Sequence, residues 1–372
     1  MKRKVFATAL TMSMVMGLAA CGGGSSAQTT AAAENKTEAA GTTAAESAAE
    51  TKGAAAETKA DGAVTGTKQG ETVLKCAFNQ SAENPEAETV RRMSDELYDA
   101  TNGRYSIEVY PNELLGNQAD SLQSVEVGAI DMALVANSIV EGVNPDFAII
   151  GTPYIYDSVE QQEKLFKSGV LDELFASTES AGFRCLAAYS LGPRNVYSRD
   201  GAITTPEELS GKKIRVMQSD TMIQMMNAMG GVGTPMSQGD VYSAIQTKTL
   251  DGAENNIITY VDLKQYEVAP YYNETGHLMI PDELVISADV MNAMSPEDQE
   301  ALKKVAADSV DTAFKLCGEL REKYYKQAKD LGVTVTKVDI APFQKNCQTL
   351  IDNVANRSET TKNIYAKLKE IK

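Results

Sequence analysis

From about residue 72 onward, hydrophobic and polar positions follow two alternating rhythms. Residues 73–78 read as a strand, and Pro85–Ala100 repeats apolar residues at helical spacing, with Val90, Met93, Leu97 and Tyr98 on one side. Asn102-Gly103 stops that helix. Tyr105–Tyr110 alternates with period two, 118–127 is helical, and 130–135 is a short apolar run suited to a buried strand. Strand-helix-strand-helix-strand order predicts a parallel sheet joined by crossovers. The same order returns as strands at 212–216, Val232–Pro235 and 250–254, with helices at 221–229 and 239–247 between them. Val125, Ile130, Asp131 and Ala133 recur as Ile245, Leu250, Asp251 and Ala253 at identical offsets. Two lobes of related topology follow, each with ligand-facing loops at the carboxyl edge of its sheet.

Beyond them, Ser295-Pro296-Glu297-Asp298 is a capping box with proline at the first helical position. An apolar stripe continues through Leu302, Val305, Ala306, Val310, Phe314, Cys317, Leu320 and Tyr324, and Gly332 is a natural stop. At about 1.5 Å per residue the helix reaches about 50 Å, longer than one lobe, so it is expected to brace both. A single final helix is expected over 343–369.

The N-terminus follows other rules. Lys2, Arg3 and Lys4 precede an apolar run over 5–17, a secretory signal pattern too short for a spanning helix. Leu18-Ala19-Ala20-Cys21 resembles the lipobox of bacterial lipoproteins, which implies cleavage before Cys21 and lipidation of its thiol. Residues 22–70 are filled mainly by Ala, Gly, Thr, Ser, Glu and Lys, with Val64 the one sizeable apolar residue. Such a segment is expected to be a disordered tether. Exported cysteines can pair, and Cys317 with Cys347 is the pair to test, against buried free thiols at Cys76, Cys185, Cys317 and Cys347.

The 372 residues carry 51 Asp+Glu against 35 Lys+Arg, a net charge of −16 that repels phosphate backbones and argues against nucleic acid as a partner. One histidine, His277, leaves no imidazole cluster for a metal and a single base for nucleophilic catalysis. It precedes the apolar Leu278-Met279-Ile280 and reads as structural. Met222, Met225, Met226 and Met229 have core spacing, and no GxSxG, Walker loop or CxxC occurs. Asp251 and Glu254 alone are a poor cation site.

Anion recognition is better served. Arg215 lies inside an otherwise apolar strand, where a guanidinium is costly unless it meets an anion. Its planar fork matches a carboxylate with two parallel hydrogen bonds. A ligand carboxylate held by Arg215, with Arg194 in support, competes with an internal salt bridge to Asp251 or Glu254. Asn255 serves equally as a donor to a ligand oxygen or as a turn cap.

At these motifs the sequence resembles the solute-binding subunits of tripartite ATP-independent periplasmic (TRAP) transporters. The most specific runs are Leu209-Ser210-Gly211-Lys212-Lys213-Ile214-Arg215-Val216, Thr234-Pro235-Met236, Asp240-Val241-Tyr242-Ser243-Ala244-Ile245-Gln246-Thr247 and Leu250-Asp251-Gly252-Ala253-Glu254-Asn255. Thr101-Asn102-Gly103-Arg104, Tyr110-Pro111 with Leu115-Gly116, Gly128-Ala129-Ile130-Asp131 and Pro153-Tyr154 fit too. The resemblance implies an α/β, two-lobed periplasmic-binding-protein-like fold, each lobe a mostly parallel sheet with flanking helices, hinge strands, a cleft between the lobes and a long bracing helix. It implies that Arg215 binds the substrate carboxylate and that Arg194, Asn255, Asn79 and Tyr154 belong to the site. Gln118 and Gln238 stand at substrate-tuning positions. Asn256 stands where the family usually has proline. Gln118 and Ala136 replace the acidic residues of sialic-acid-binding members, and the Arg194–Arg215 spacing is one residue longer.

The expected protein is a monomeric, non-enzymatic, extracytoplasmic lipoprotein without cofactor or metal, on the cell membrane in the periplasm or on the outer face. It would capture a hexuronate, another sugar acid or a C4-dicarboxylate by lobe closure and pass it to TRAP membrane subunits for sodium-coupled import. The expected partition is signal 1–20, lipidated cysteine and tether 21–71, first lobe 72–191 plus about 281–320, and second lobe 192–280 plus about 321–372. The rivals are a secreted enzyme using His277 or the Asp251/Glu254 pair, and a receptor serving an ATP-driven transporter or a signalling partner.

Overall fold

The computed structural model describes residues 62–371; Cys21, the signal and most of the tether lie outside them. Twelve strands are described: β1 Val64–Thr65, β2 Thr72–Phe78, β3 Tyr105–Tyr110, β4 Met132–Ala136, β5 Phe183–Tyr189, β6 Arg194–Ser198, β7 Lys213–Val216, β8 Val232–Pro235, β9 Gly252–Asn256, β10 Tyr271–Leu278, β11 Asp282–Ser287 and β12 Thr334–Lys337. They form two six-stranded sheets, ordered β1-β3-β2-β4-β11-β5 and β12-β10-β6-β9-β7-β8.

The internal echo is a structural repeat. In the first lobe β2 lies parallel between β3 and β4, and in the second β7 lies parallel between β8 and β9. Asp131 accepts the Lys75 N–H at 2.8 Å, and its counterpart Asp251 accepts the Lys213 N–H at 2.9 Å. Each aspartate thus fixes the start of a parallel pairing. Because Asp251 sits in this turn, the strand expected over 250–254 runs instead over Gly252–Asn256.

Both sheets are mixed, and parallel pairings predominate in the second sheet but not in the first. β11 enters the first sheet antiparallel to β4 and β5, and β6 enters the second antiparallel to β9 and β10. Both strands arrive where the chain crosses between lobes, through Ser190–Pro193 and through Met279–Pro281. At the first crossing Gly192 has φ +87°, and an added Cβ would stand 2.4 Å from Arg321 Nη1 on the long helix.

That helix, Pro296–Asp330, spans 35 residues and is capped by Ser295, whose Oγ accepts the Asp298 N–H at 3.1 Å. Leu302, Val305, Ala306, Val310, Ala313 and Phe314 pack with Leu74, Ile107 and Leu284 in the first-lobe core. Cys317, Tyr324 and Ala328 pack with Tyr197, Tyr260 and Tyr272 in the second. One amphipathic stripe therefore braces both lobes.

Other expectations need correction. The tether does not extend to residue 71, because Val64 is buried and pairs with Val109 across β1 and β3. The final helix is two, Ala341–Ala355 and Glu359–Glu370, because Ser358 caps a new start by accepting the Thr361 N–H at 3.1 Å. The second of these does not belong with the second lobe alone: Ser358 Oγ donates to Asp146 at 2.7 Å and Gln161 donates to the Ile371 carbonyl at 3.0 Å, both first-lobe residues. Cys317 and Cys347 sit in separate apolar clusters, and all four described cysteines are free, buried thiols. The four methionines of 222–229 are core, packed with Phe343 and Leu350.

Candidate functional site

The parallel strands of both sheets point their carboxyl ends at one cleft, the usual position for ligands in open α/β sheets. Asn79 follows β2, Gln118 opens the helix Gln118–Glu126 after β3, Arg215 lies within β7, and Gln238 follows β8. Glu113, Gln118, Arg215, Met217, Ser237 and Gln238 line a cavity of about 10 Å³. That is room for one water. It adjoins a cavity of about 210 Å³ lined by Asn79, Glu113, Gln238, Gly239, Tyr242 and Gln265, among others.

Two arginines dominate the charge, and they are completed differently. Arg194 donates through Nε and Nη2 to both carboxylate oxygens of Glu254, at 2.6 and 2.8 Å, and through Nη2 to the Glu254 carbonyl at 2.9 Å. Its Nη1 donates to Asn255 Oδ1 at 2.7 Å. Burial would raise the Glu254 carboxyl, but Arg194 and His277 outweigh it and hold that group at about 2. Asp251 is likewise taken, by Arg199 at 3.2 Å and by the Lys213 N–H.

Both carboxylates that competed for Arg215 therefore have other partners. Arg215 is 3% exposed and donates only to neutral acceptors: Nε to the Met236 carbonyl at 2.8 Å and Nη1 to Gln238 Oε1 at 3.2 Å. No carboxylate among the described residues lies within ion-pair distance of it. Burial brings its guanidinium down to about 10, with the more distant Glu254 opposing.

Asn255 Nδ2 donates to Gln238 Oε1 at 3.3 Å, so a chain of polar contacts runs Glu254–Arg194–Asn255–Gln238–Arg215. Two donors facing the cleft, Asn79 Nδ2 and Gln238 Nε2, are buried without a partner among the described residues. Such orphans are costly unless something outside the chain satisfies them. Gln118 accepts the Ala136 N–H at 2.5 Å.

Arg215, Gln118, Gln238 and Asn79 thus share the cleft, and Asn255 stands directly behind Gln238. Arg194 and Tyr154 line neither cavity. Tyr154, at φ +53°, donates its N–H to the His277 carbonyl at 3.0 Å and its hydroxyl to the Thr275 carbonyl at 3.2 Å. His277 is fully buried, with Nδ1 2.9 Å from Thr275 Oγ1 and Nε2 3.4 Å from Glu254. Burial lowers its pKa, which keeps it a neutral structural group. Asn256, the departure from the family's proline, accepts the Thr259 N–H at 2.9 Å and caps Ile257–Asp262. Among the described residues no group of carboxylates, cysteines and histidine forms a metal site, and no helix is long and apolar enough to cross a membrane. Glu113 was not singled out from sequence; it lies unremarked between Tyr110-Pro111 and Leu115-Gly116.

Residues 77–358 match the family described as bacterial extracellular solute-binding protein, family 7. A solute-binding protein of Chromohalobacter salexigens is 31% identical over 72% of this chain and 80% of its own length. Among solved structures, a TRAP periplasmic solute-binding protein of Xanthobacter autotrophicus with bound β-D-galacturonate is 33% identical, with a TM-score of 0.77 over 80% of this chain and 100% of that one. One from Anaerococcus prevotii with bound D-glucuronate is 30% identical, with a TM-score of 0.78 over 81% of this chain and 98% of that one.

Proposed function

The chain belongs to the family-7 bacterial extracellular solute-binding proteins, the solute receptors of TRAP transporters, and from that premise we propose that it captures a hexuronate whose carboxylate is taken by Arg215. The observation that carries this reading is the condition of Arg215: a buried guanidinium with no carboxylate partner among the described residues, facing the cleft beside a Gln238 donor that has no partner among them either. A ligand carboxylate would complete it as Glu254 completes Arg194. Asn79 Nδ2 and Gln238 Nε2 would then donate to ring or hydroxyl oxygens. The hexuronates bound in the two similar structures support this class of ligand over other acids.

Arg194 and Asn255 act by position, holding Gln238 against Arg215. Asn79 and Gln118 come from the first lobe, Arg215 and Gln238 from the second. A ligand that bridges them shifts the population toward the closed form. The closed form delivers the hexuronate to the TRAP membrane subunits for sodium-coupled import. Lipidation of Cys21 holds the receptor at the membrane, with the residues before Val64 as its tether. The lobes divide as 64–191 plus about 281–320 and 192–280 plus about 321–358, with Glu359–Glu370 fastened to the first.

Calorimetric titration of the protein with D-galacturonate, D-glucuronate, galactose and glucose tests the reading. Uronates bind and neutral sugars do not. Loss of a charge-assisted bond of about 1.5–3 kcal/mol weakens uronate binding at least about tenfold in Arg215→Ala. Equal affinity for galactose and galacturonate, or an unaffected Arg215→Ala, overturns the role of Arg215. Mass spectrometry of membrane-extracted protein checks the anchor: a lipid-modified N-terminal Cys21 supports it, and an unmodified one rejects it.

A further inference from the structure

Opposite Arg215, the cleft carries a carboxylate that none of these roles uses. Glu113 lines both cavities. It follows Asn112, and the two have φ of +57° and +56°, consecutive left-handed conformations that asparagine takes readily but glutamate rarely does unless its surroundings impose them. The imposition is visible. Asn112 N donates to the Gln80 carbonyl at 2.8 Å and Glu113 N to the Phe78 carbonyl at 3.1 Å, which ties the loop to the end of β2 beside Asn79. Gly116 N closes the turn on the Glu113 carbonyl at 2.9 Å.

The side chain so placed reaches across to the second lobe: a Cβ added to Gly239 would stand 2.8 Å from Glu113 Oε2. The carboxylate makes no hydrogen bond or ion pair with the described residues. Burial raises its pKa, with Asp240 adding to that effect and Arg215 opposing it. Arg215, with unfilled donor capacity, lines the small cavity from the second lobe, and Glu113, with unfilled acceptor capacity, lines both that cavity and the larger one beside it from the first.

We propose that Glu113 sets ligand selectivity, accepting hydrogen bonds from hydroxyls of a polyhydroxylated monocarboxylate while repelling a second carboxylate. This rests on the reading of Arg215 as the carboxylate site, and it narrows the ligand class to sugar acids over C4-dicarboxylates. A hydroxyl can turn its hydrogen toward Glu113, whereas the far carboxylate of a dicarboxylate held by Arg215 would meet a like charge as it was desolvated.

Calorimetric titration of wild-type protein, Glu113→Gln and Glu113→Gly with D-galacturonate, D-glucuronate, D-gluconate, succinate and L-malate tests this. Glu113→Gly also relieves the left-handed backbone and serves should the glutamine variant fold poorly. Wild type binds at least one sugar acid at least tenfold more tightly than either dicarboxylate, and that ratio falls at least fivefold in both variants. In Asp120→Asn, which removes a nearby exposed charge, the ratio stays within twofold of wild type. A ratio unchanged in the Glu113 variants, an equal fall in Asp120→Asn, or a wild type that prefers a dicarboxylate overturns the proposal. Selective binding of gluconate without either uronate would reject the hexuronate reading and leave the role of Glu113 standing.

Discussion

Arg194 and Arg215 lie in one sheet, on the strands β6 and β7 that flank β9, and both are buried. Arg194 has a bidentate carboxylate and a side-chain amide; Arg215 has one carbonyl and one amide oxygen. Burial works against both cations. Glu254 outweighs it at Arg194, whose pKa is raised, and fails to at Arg215, which falls to about 10. Equal burial of the same residue type therefore separates into two tasks. The charge completed within the chain holds structure, and the charge left incomplete awaits a ligand.

Breaking the completed pair has the largest expected effect. Glu254→Gln leaves Arg194 buried beside Arg215 without a counter-charge, and should lower stability by about 3–5 kcal/mol, read from urea unfolding. The pH dependence follows from the depressed Glu254 pKa. Its contribution is fully present above the unfolded value of about 4.3 and is lost as pH falls through about 2. The stability gap between wild type and Glu254→Gln should therefore be constant from pH 5 to 7 and narrow below about pH 4.3. A gap that widens on acidification would contradict the assignment.

Breaking the incomplete site has the opposite signature. Arg215→Met removes an uncompensated buried cation in favour of an apolar chain of similar length. The ligand-free protein should melt no lower than wild type, while the melting shift given by saturating uronate disappears. A ligand-free melting point several degrees lower would mean that Arg215 holds structure after all. Gln238→Ala is milder: it removes one neutral contact to Arg215 and one orphan donor, so uronate affinity should fall about fivefold, for about 1 kcal/mol. Full retention of affinity would remove Gln238 from the site.

The same comparison shows what could be read from sequence and why reading stopped. Arg215 stood out because a guanidinium inside Lys-Ile-Arg-Val breaks an apolar pattern, and Asp131 and Asp251 because they recur at one offset; both signals are local. The parallel units, the long helix and its two-sided stripe were legible for the same reason. Which carboxylate completes which arginine was not, since Glu254 is equally near both in sequence logic and only the antiparallel insertion of β6 beside β9 awards it to Arg194. Strand direction leaves no local trace, so the antiparallel insertions of β6 and β11 into two sheets expected to be mostly parallel were not legible. Glu113 was invisible because its importance comes from a backbone conformation: Asn112 is a residue that favours a left-handed turn, but nothing in the sequence marks the glutamate after it as sharing that conformation.

Tyr154 gives the smallest effect and the sharpest division between resemblance and geometry. Family likeness places it in the site, yet its hydroxyl is bonded to the Thr275 carbonyl on β10, and it lines neither cavity. Its ring packs against the cluster that contains Leu278 and Ile280, beside the second crossing between lobes. Tyr154→Phe keeps that packing and removes one hydrogen bond, so stability should fall by about 0.5–1.5 kcal/mol and uronate affinity should stay within twofold. A tenfold loss of affinity without a change in melting would place the hydroxyl on the ligand, and would require the lobes to rotate about the 279–281 crossing far enough to free it from Thr275.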